Sequence, residues 1–203
     1  MKKIDFKKEL VHLYKPSPDK PEIVNVPQMN FLMIDGKGDP NTSQDYQNAI
    51  EVLYSVSYTL KFMIKNGIHG VDYGVLPLEG LWWADDMSDF LTGRKDQWLW
   101  TAMIMQPELI REELVREAME TVRKKKKLPG MDAVRFDSFY EGPSAQIMHI
   151  GPFSEEGPKI DKLHQFIREQ NHGLRAKHHE IYLSDIRRGD PQKWKTIIRQ
   201  PIE

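Results

Sequence analysis

Apolar and polar positions along this chain follow two periods. Tyr46, Ile50, Leu53, Leu60 and Ile64 recur at helical spacing, Thr42 or Ser43 can cap the start of that run, and Gly67 stops it. The stretch before it, MNFLMIDGKG (residues 29–38), reads as a buried strand that ends at a glycine turn. The stretches after it, VDYGVLPLEGLWWA and QWLWTAMIMQP, are rich in aromatic and β-favouring residues and read as strands. Pro107, at a first-turn position, predicts a second helix running to about Lys125.

The second half repeats this order. AVRFDSFYEGPSAQIMHIG predicts a hairpin around Glu141, Gly142 and Pro143. A helix follows with Ile160, Leu163, Phe166 and Ile167 inward and Gly173 at its end, then a strand at HHEIYL, a helical turn at DPQKW and a last strand at TIIRQPI. Strand, helix, strand, strand thus occurs twice, over roughly residues 28–105 and 143–203, with a helix and a strand linking the two. Residues 1–27 form a short helix near positions 5–13 and a proline-rich connector ahead of a domain of residues 28–203. The expected fold class is α+β. The duplicated strand-helix-strand-strand units form a curved, mostly antiparallel sheet with helices on one face and a central ligand cleft.

In both halves the strand after the long helix carries one glutamate among apolar neighbours, Glu79 in PLEGLWW and Glu180 in HEIYL. Strand parity puts Glu180 with Tyr182 and His178, and Glu79 with Leu81 and Trp83. Ile181 and Leu183 are expected to face the covering helices, which leaves Glu180 on the open face of the sheet. The bland alternative is a solvated strand face, but the neighbours are tyrosine and tryptophan rather than lysine and threonine. A carboxylate in an aromatic cleft raises its pKa, finds a cation or accepts hydrogen bonds, and each outcome suits binding or acid/base work. If the halves pair about a pseudo-two-fold axis, Glu79 and Glu180 approach one cleft. A harmless exposure of Glu79 on the turn-like PLEG is the alternative. Trp83, Trp98, Phe136 and Tyr140 are candidate walls of an aromatic cage, although most strand aromatics are core, and Met148 is a flexible filler.

Composition narrows the chemistry. The chain has 203 residues, 39% apolar and 29% charged, with a net charge of −1, so no positive field gathers nucleic acid. It has no cysteine, which excludes disulfides, thiolate metal sites and a cysteine nucleophile. No run has the length of a signal-peptide core or a membrane span, and a cytoplasmic protein is expected. GKGDPN lacks the third glycine of a dinucleotide loop, RKKKK complements a helix C-terminus, and His178 and His179 point oppositely on a strand rather than forming a metal pair. No metal and no cofactor is expected.

NFLMIDGKGDPN, PLEGLWW, YEGPSAQIMHIGPFSEE and HHEIYLSDIRR…WKTIIRQPI together resemble the GyrI-like small-molecule-binding domain family, from about Pro21 to the C-terminus. The resemblance implies a duplicated strand-helix-strand-strand fold with a ligand cleft, in agreement with the repeat. It further implies one of three roles. Some family members are drug-sensing domains in which a glutamate matching Glu180 meets lipophilic cations. Others resemble gyrase-inhibiting proteins, which the near-neutral charge does not favour. A stand-alone branch is hydrolases that open the cyclopropane rings of DNA-alkylating natural products. About 27 proline-broken residues precede the domain, so regulation through an attached DNA-binding region is not expected. The heavy LWW and QWLW aromatics favour the stand-alone branch.

On that reading Glu180 orients or deprotonates water, and Glu79 or Tyr140 hydrogen-bonds the carbonyl that gains charge. Trp83, Trp98, Tyr182, Met148 and Phe136 line the pocket. The alternative is a module that binds or sequesters hydrophobic, often cationic drugs without chemistry, with Glu180 as a fixed counter-ion. The expected partner is a lipophilic, aromatic or cationic small molecule, with no nucleic acid and no membrane.

Overall fold

Four prolines at positions 16, 18, 21 and 27 deny the early chain a helix, and of that stretch only Glu22–Val26 pairs as a strand. The computed structural model describes residues 2–67, 70–85, 93–185 and 189–203. Its elements are β1 (Lys2–Ile4), α1 (Phe6–Glu9), α2 (Val11–Tyr14), β2 (Glu22–Val26), β3 (Met29–Lys37), α3 (Gln44–Asn66), β4 (Val71–Tyr73) and β5 (Leu78–Trp83). There follow β6 (Leu99–Gln106), α4 (Glu112–Lys125), β7 (Arg135–Phe139), β8 (Gly142–Ile150), α5 (Gly157–Glu169), β9 (His178–Tyr182) and β10 (Lys195–Pro201). The duplicated order is present, as β3-α3-β5-β6 and β8-α5-β9-β10.

Eight strands are hydrogen-bonded in the order β2-β8-β10-β9-β5-β6-β3-β7, while β1 and β4 form a separate parallel pair. The pairings of β10 with β8 and β9, of β2 with β8, and of β3 with β6 and β7 are all antiparallel. In each repeat the last strand lies between the other two, β6 between β5 and β3, and β10 between β9 and β8.

The chain divides into two compact units. The first comprises Met1–Glu9, Met29–Leu78 and Trp83–Phe139. Here Ser43 caps α3 by accepting from the Tyr46 N–H at 3.2 Å, and the helix buries Ala49, Val52, Leu53, Val56, Leu60 and Ile64. Leu32 pairs with Ile104, Ile34 with Ala102 and Gly36 with Trp100 on one face of β3 and β6. The Trp100 ring fills the space over Gly36, where a Cβ would come within 2.2 Å of it.

The second unit comprises Leu10–Gln28, Glu79–Trp82 and Tyr140–Glu203. Its apolar core sets Leu163 and Ile167 of α5 against Ala145, Ile147, Ile198 and Ile202. In the register of β8, β10 and β9, Ile147 lies opposite Ile198 and Ile198 opposite Glu180. Glu180 therefore projects from the face that α5 covers. This corrects the expectation that Ile181 would face the helix. Period two fixes which residues share a side but not which side the helix takes.

Three local expectations are also corrected. β7 and β8 are not a hairpin, because β7 pairs with β3 while β8 pairs with β2 and β10. Gly142, the first residue of β8, adopts φ +72°. Pro107 closes a turn with the Ile110 N–H, and α4 begins at Glu112 after extended Arg111. The N-terminal helix is two short turns broken at Leu10, whose backbone is not helical. Among the described residues no helix is long and apolar enough to cross a membrane.

Candidate functional site

Both candidate glutamates have side chains in the second unit, and they stand on opposite faces of the sheet. On the α5 face, β9 presents His178, Glu180 and Tyr182 side by side. His178 Nε2 lies 3.1 Å from Glu180 Oε1, and the Tyr182 hydroxyl donates to Glu180 Oε2 at 2.7 Å. Trp82 Nε1 donates in turn to the Tyr182 oxygen at 3.0 Å. The indole reaches this position because residue 80 is glycine, where a Cβ would come within 2.7 Å of Trp82 Nε1. Phe153 meets the Tyr182 ring edge-on at 5.5 Å between centroids and lies 5.5 Å from the Trp194 ring. The Glu180 side chain keeps 16% of its exposure.

Burial pushes the Glu180 carboxyl up. The hydrogen bonds from His178 and Tyr182, with the charges of His178 and His179, outweigh burial and hold it below the ordinary carboxylate range. The result is an ionised carboxylate, aimed by two donors, among aromatic rings.

The opposite face is built differently. His179 Nδ1 lies 2.9 Å from Glu141 Oε1 and Nε2 lies 3.0 Å from Glu79 Oε2. With a carboxylate at each nitrogen, the ring is an imidazolium. Burial works against this charge, but Glu141 and Glu79 more than reverse it and raise the His179 pKa to about 9. Arg199 Nη1 donates to Glu141 Oε2 at 3.3 Å, and its Nε and Nη2 donate to Gln146 Oε1 at 3.1 and 2.9 Å. The N-terminal segment closes the cluster. The Tyr14 hydroxyl donates to Glu79 Oε1 at 3.1 Å, and the Leu13 carbonyl accepts from Arg199 Nη2 at 2.7 Å. Two carboxylates balance two cations, and Glu79, Glu141, His179 and Arg199 are all buried. This is a buried, charge-balanced ion cluster.

The sequence-derived site is therefore revised. Glu180 and Tyr182 come together as expected. Glu79 belongs to the ion cluster and not to the Glu180 bay. Trp82, on the face of β5 opposite Glu79 and outside the expected cage, is the tryptophan that reaches Tyr182. Trp83 projects from the other side of β5. Met148 pairs with Ile197, one residue out of step with Ile147 and Ile198, and so leaves the Glu180 face. Tyr140 is 60% exposed at the corner before β8, its ring against Gly142, and stands apart from the Glu180 hydrogen bonds. Phe136 and Trp98 belong to the first unit, Trp98 with Lys95 Nζ at 5.3 Å from its ring. Ile186–Arg188 of the quoted HHEIYLSDIRR motif (numbers 186–188) lie outside the described residues.

Sequence reasoning missed Tyr14, Glu141, His179 and Arg199, and also Phe153 and Trp194. One signal was available: a lone arginine inside the apolar strand TIIRQPI requires a buried counter-ion. Among the described residues, no group of three His, Asp or Glu side chains is arranged to hold a metal ion.

Residues 19–203 match the GyrI-like small molecule binding domain family. Among solved structures, an uncharacterized conserved protein from Listeria innocua is 43% identical with a TM-score of 0.88, covering 98% of this chain and 100% of that one. A hydrolase from Listeria innocua is 44% identical with a TM-score of 0.86 over 100% of both chains. The EcmrR C-terminal domain shares the fold at 13% identity and a TM-score of 0.55, over 91% of this chain and 97% of that one. No curated protein matches this chain significantly.

Proposed function

The chain belongs to the GyrI-like small molecule binding domain family, and on that premise we propose that the Glu180 bay is a hydrolytic site. Its reaction is the addition of water across the strained cyclopropane ring of a lipophilic, electrophilic compound. The observation that carries this reading is an ionised carboxylate held by Tyr182 and His178 beside Trp82 and Phe153. The Listeria innocua hydrolase, at 44% identity over the full chain, supports the reaction class.

In the proposed step a water oxygen attacks an electrophilic ring carbon while Glu180 takes the water proton. The ring carbon–carbon bond breaks, and its electron pair passes into the conjugated carbonyl as an enolate. The proton then returns to the enolate, so the product is the ligand plus one water. A carboxylate held low is a weak base, which suits a reaction driven by ring strain rather than by proton abstraction. Tyr182 fixes the direction of the carboxylate, and the aromatic walls stack a flat ligand and keep bulk water away.

The permanent charge of Glu180 favours a second reading, a binding module for lipophilic cations held by that carboxylate and the surrounding rings. Incubation with a cyclopropane-bearing alkylator, followed by mass spectrometry, separates the two. The hydrolase returns the compound heavier by one water, and the binder returns it unchanged. In Glu180→Gln, binding should survive while turnover falls by roughly 10²–10⁴-fold. Unchanged turnover in that variant would remove Glu180 from the mechanism.

A further inference from the structure

Besides His164 Nε2 on α5, the side-chain atoms of the second unit buried without a hydrogen-bond partner among the described residues include His149 Nδ1, Thr196 Oγ1 and Trp194 Nε1. Buried polar atoms are almost always paired, and each exception asks for an explanation. These three are neighbours. Thr196 lies opposite His149 on one side and opposite Tyr182 on the other in the strand register. Trp194 precedes Thr196 by two residues of extended backbone, just ahead of β10, so the two lie roughly 7 Å apart. Phe153 touches both the Tyr182 and Trp194 rings. The group therefore borders the Glu180 bay at its Tyr182 end.

The chemistry of the three atoms is specific. His149 Nε2 lies 3.1 Å from the Pro152 carbonyl, which can only accept, so Nε2 carries the ring proton. With that proton on Nε2, Nδ1 is the ring nitrogen left to accept. Trp194 Nε1 is a donor only, and the Thr196 hydroxyl does either. A ketone or ether oxygen would satisfy Trp194 and leave His149 unmatched, and an ammonium group would do the reverse. A hydroxyl accepts and donates at once and meets both. We propose that His149, Thr196 and Trp194 form a polar subsite for a ligand hydroxyl, so that the bay selects hydroxyl-bearing aromatic compounds over plain or alkylated ones. The inference rests on the Glu180 bay being the ligand site.

The test uses three probes of one ring system, 2-naphthol, 2-methoxynaphthalene and naphthalene, titrated against the full chain by tryptophan fluorescence. 2-Naphthol should bind about five- to tenfold more tightly than the other two. Thr196→Val, which keeps the shape of the side chain, and His149→Phe should each reduce that advantage, while Glu180→Gln should leave it. A thermal melt of each variant confirms folding, and the wild-type comparison needs no variant. Equal affinities for the three probes, binding of none, or an advantage untouched by both Thr196→Val and His149→Phe overturns the proposal. Hydroxyl preference without ring opening of an alkylator would sink the hydrolase and leave the subsite standing. Ring opening without hydroxyl preference would do the opposite.

Discussion

Tyr182 and His179, three residues apart on β9, show how one strand serves two purposes. Tyr182 donates to Glu180 and accepts from Trp82, so Tyr182→Phe removes a hydrogen bond that favours the ionised carboxylate. The Glu180 pKa should rise in that variant, and the acid limb of the pH–rate profile should move to higher pH. An unmoved limb would show that the hydroxyl does not tune the carboxylate. His179 makes its case through stability. Its folded pKa, about 9, lies above the ordinary 6.5, so the folded state holds a proton that the unfolded chain releases earlier. The stabilisation is complete below about pH 6.5 and is lost as pH rises through about 9. At ~1.4 kcal/mol per unit this amounts to roughly 3–4 kcal/mol. Urea unfolding between pH 6 and pH 10 measures the loss, and His179→Leu should remove most of the pH dependence while destabilising the fold by roughly 3–5 kcal/mol.

At the scale of elements, the ends and close approaches matter most. The α3 cap rests on one side chain, so Ser43→Ala should cost about 1 kcal/mol, read as a shifted denaturation midpoint at constant slope. β5 makes a sharper prediction. A methyl at position 80 would overlap the Trp82 indole at its Nε1. Gly80→Ala should swing the indole off Tyr182, cost about 1–3 kcal/mol through overpacking, and weaken binding of flat aromatic ligands. Retained affinity in that variant would show that the indole does not line the bay. β9 needs no such device, because period-two alternation alone sets Glu180 between His178 and Tyr182 on one face and turns His179 to the other.

For the whole chain, the informative segment is the N-terminal one. Residues 10–28 belong to the second unit, where Leu13, Tyr14 and His12 supply hydrogen bonds to Arg199, Glu79 and Gln146. Removing residues 1–14 should leave those buried groups short of partners and destabilise the protein far more than removing residues 1–9, which spares all three. Chemical denaturation of the two truncations measures the difference, and equal losses would show that the ion cluster does not depend on this cover.

The sequence by itself determined the repeated element order, the shared side of Glu180, Tyr182 and His178, and the family motifs. It did so because strand and helix periods are local properties of the chain. Tertiary structure decided the rest. Whether α5 covers the Glu180 side or the Ile181 side depends on which face of β8 and β10 is apolar, and that follows from strand register. Glu79 looked equivalent to Glu180 because both sit alone among apolar neighbours. Their difference lies in partners distant in sequence: His179 is 100 residues from Glu79, and Arg199 is 58 from Glu141. A buried charge is tolerated only with its counter-charges in place, and those arrive by folding rather than by spacing along the chain.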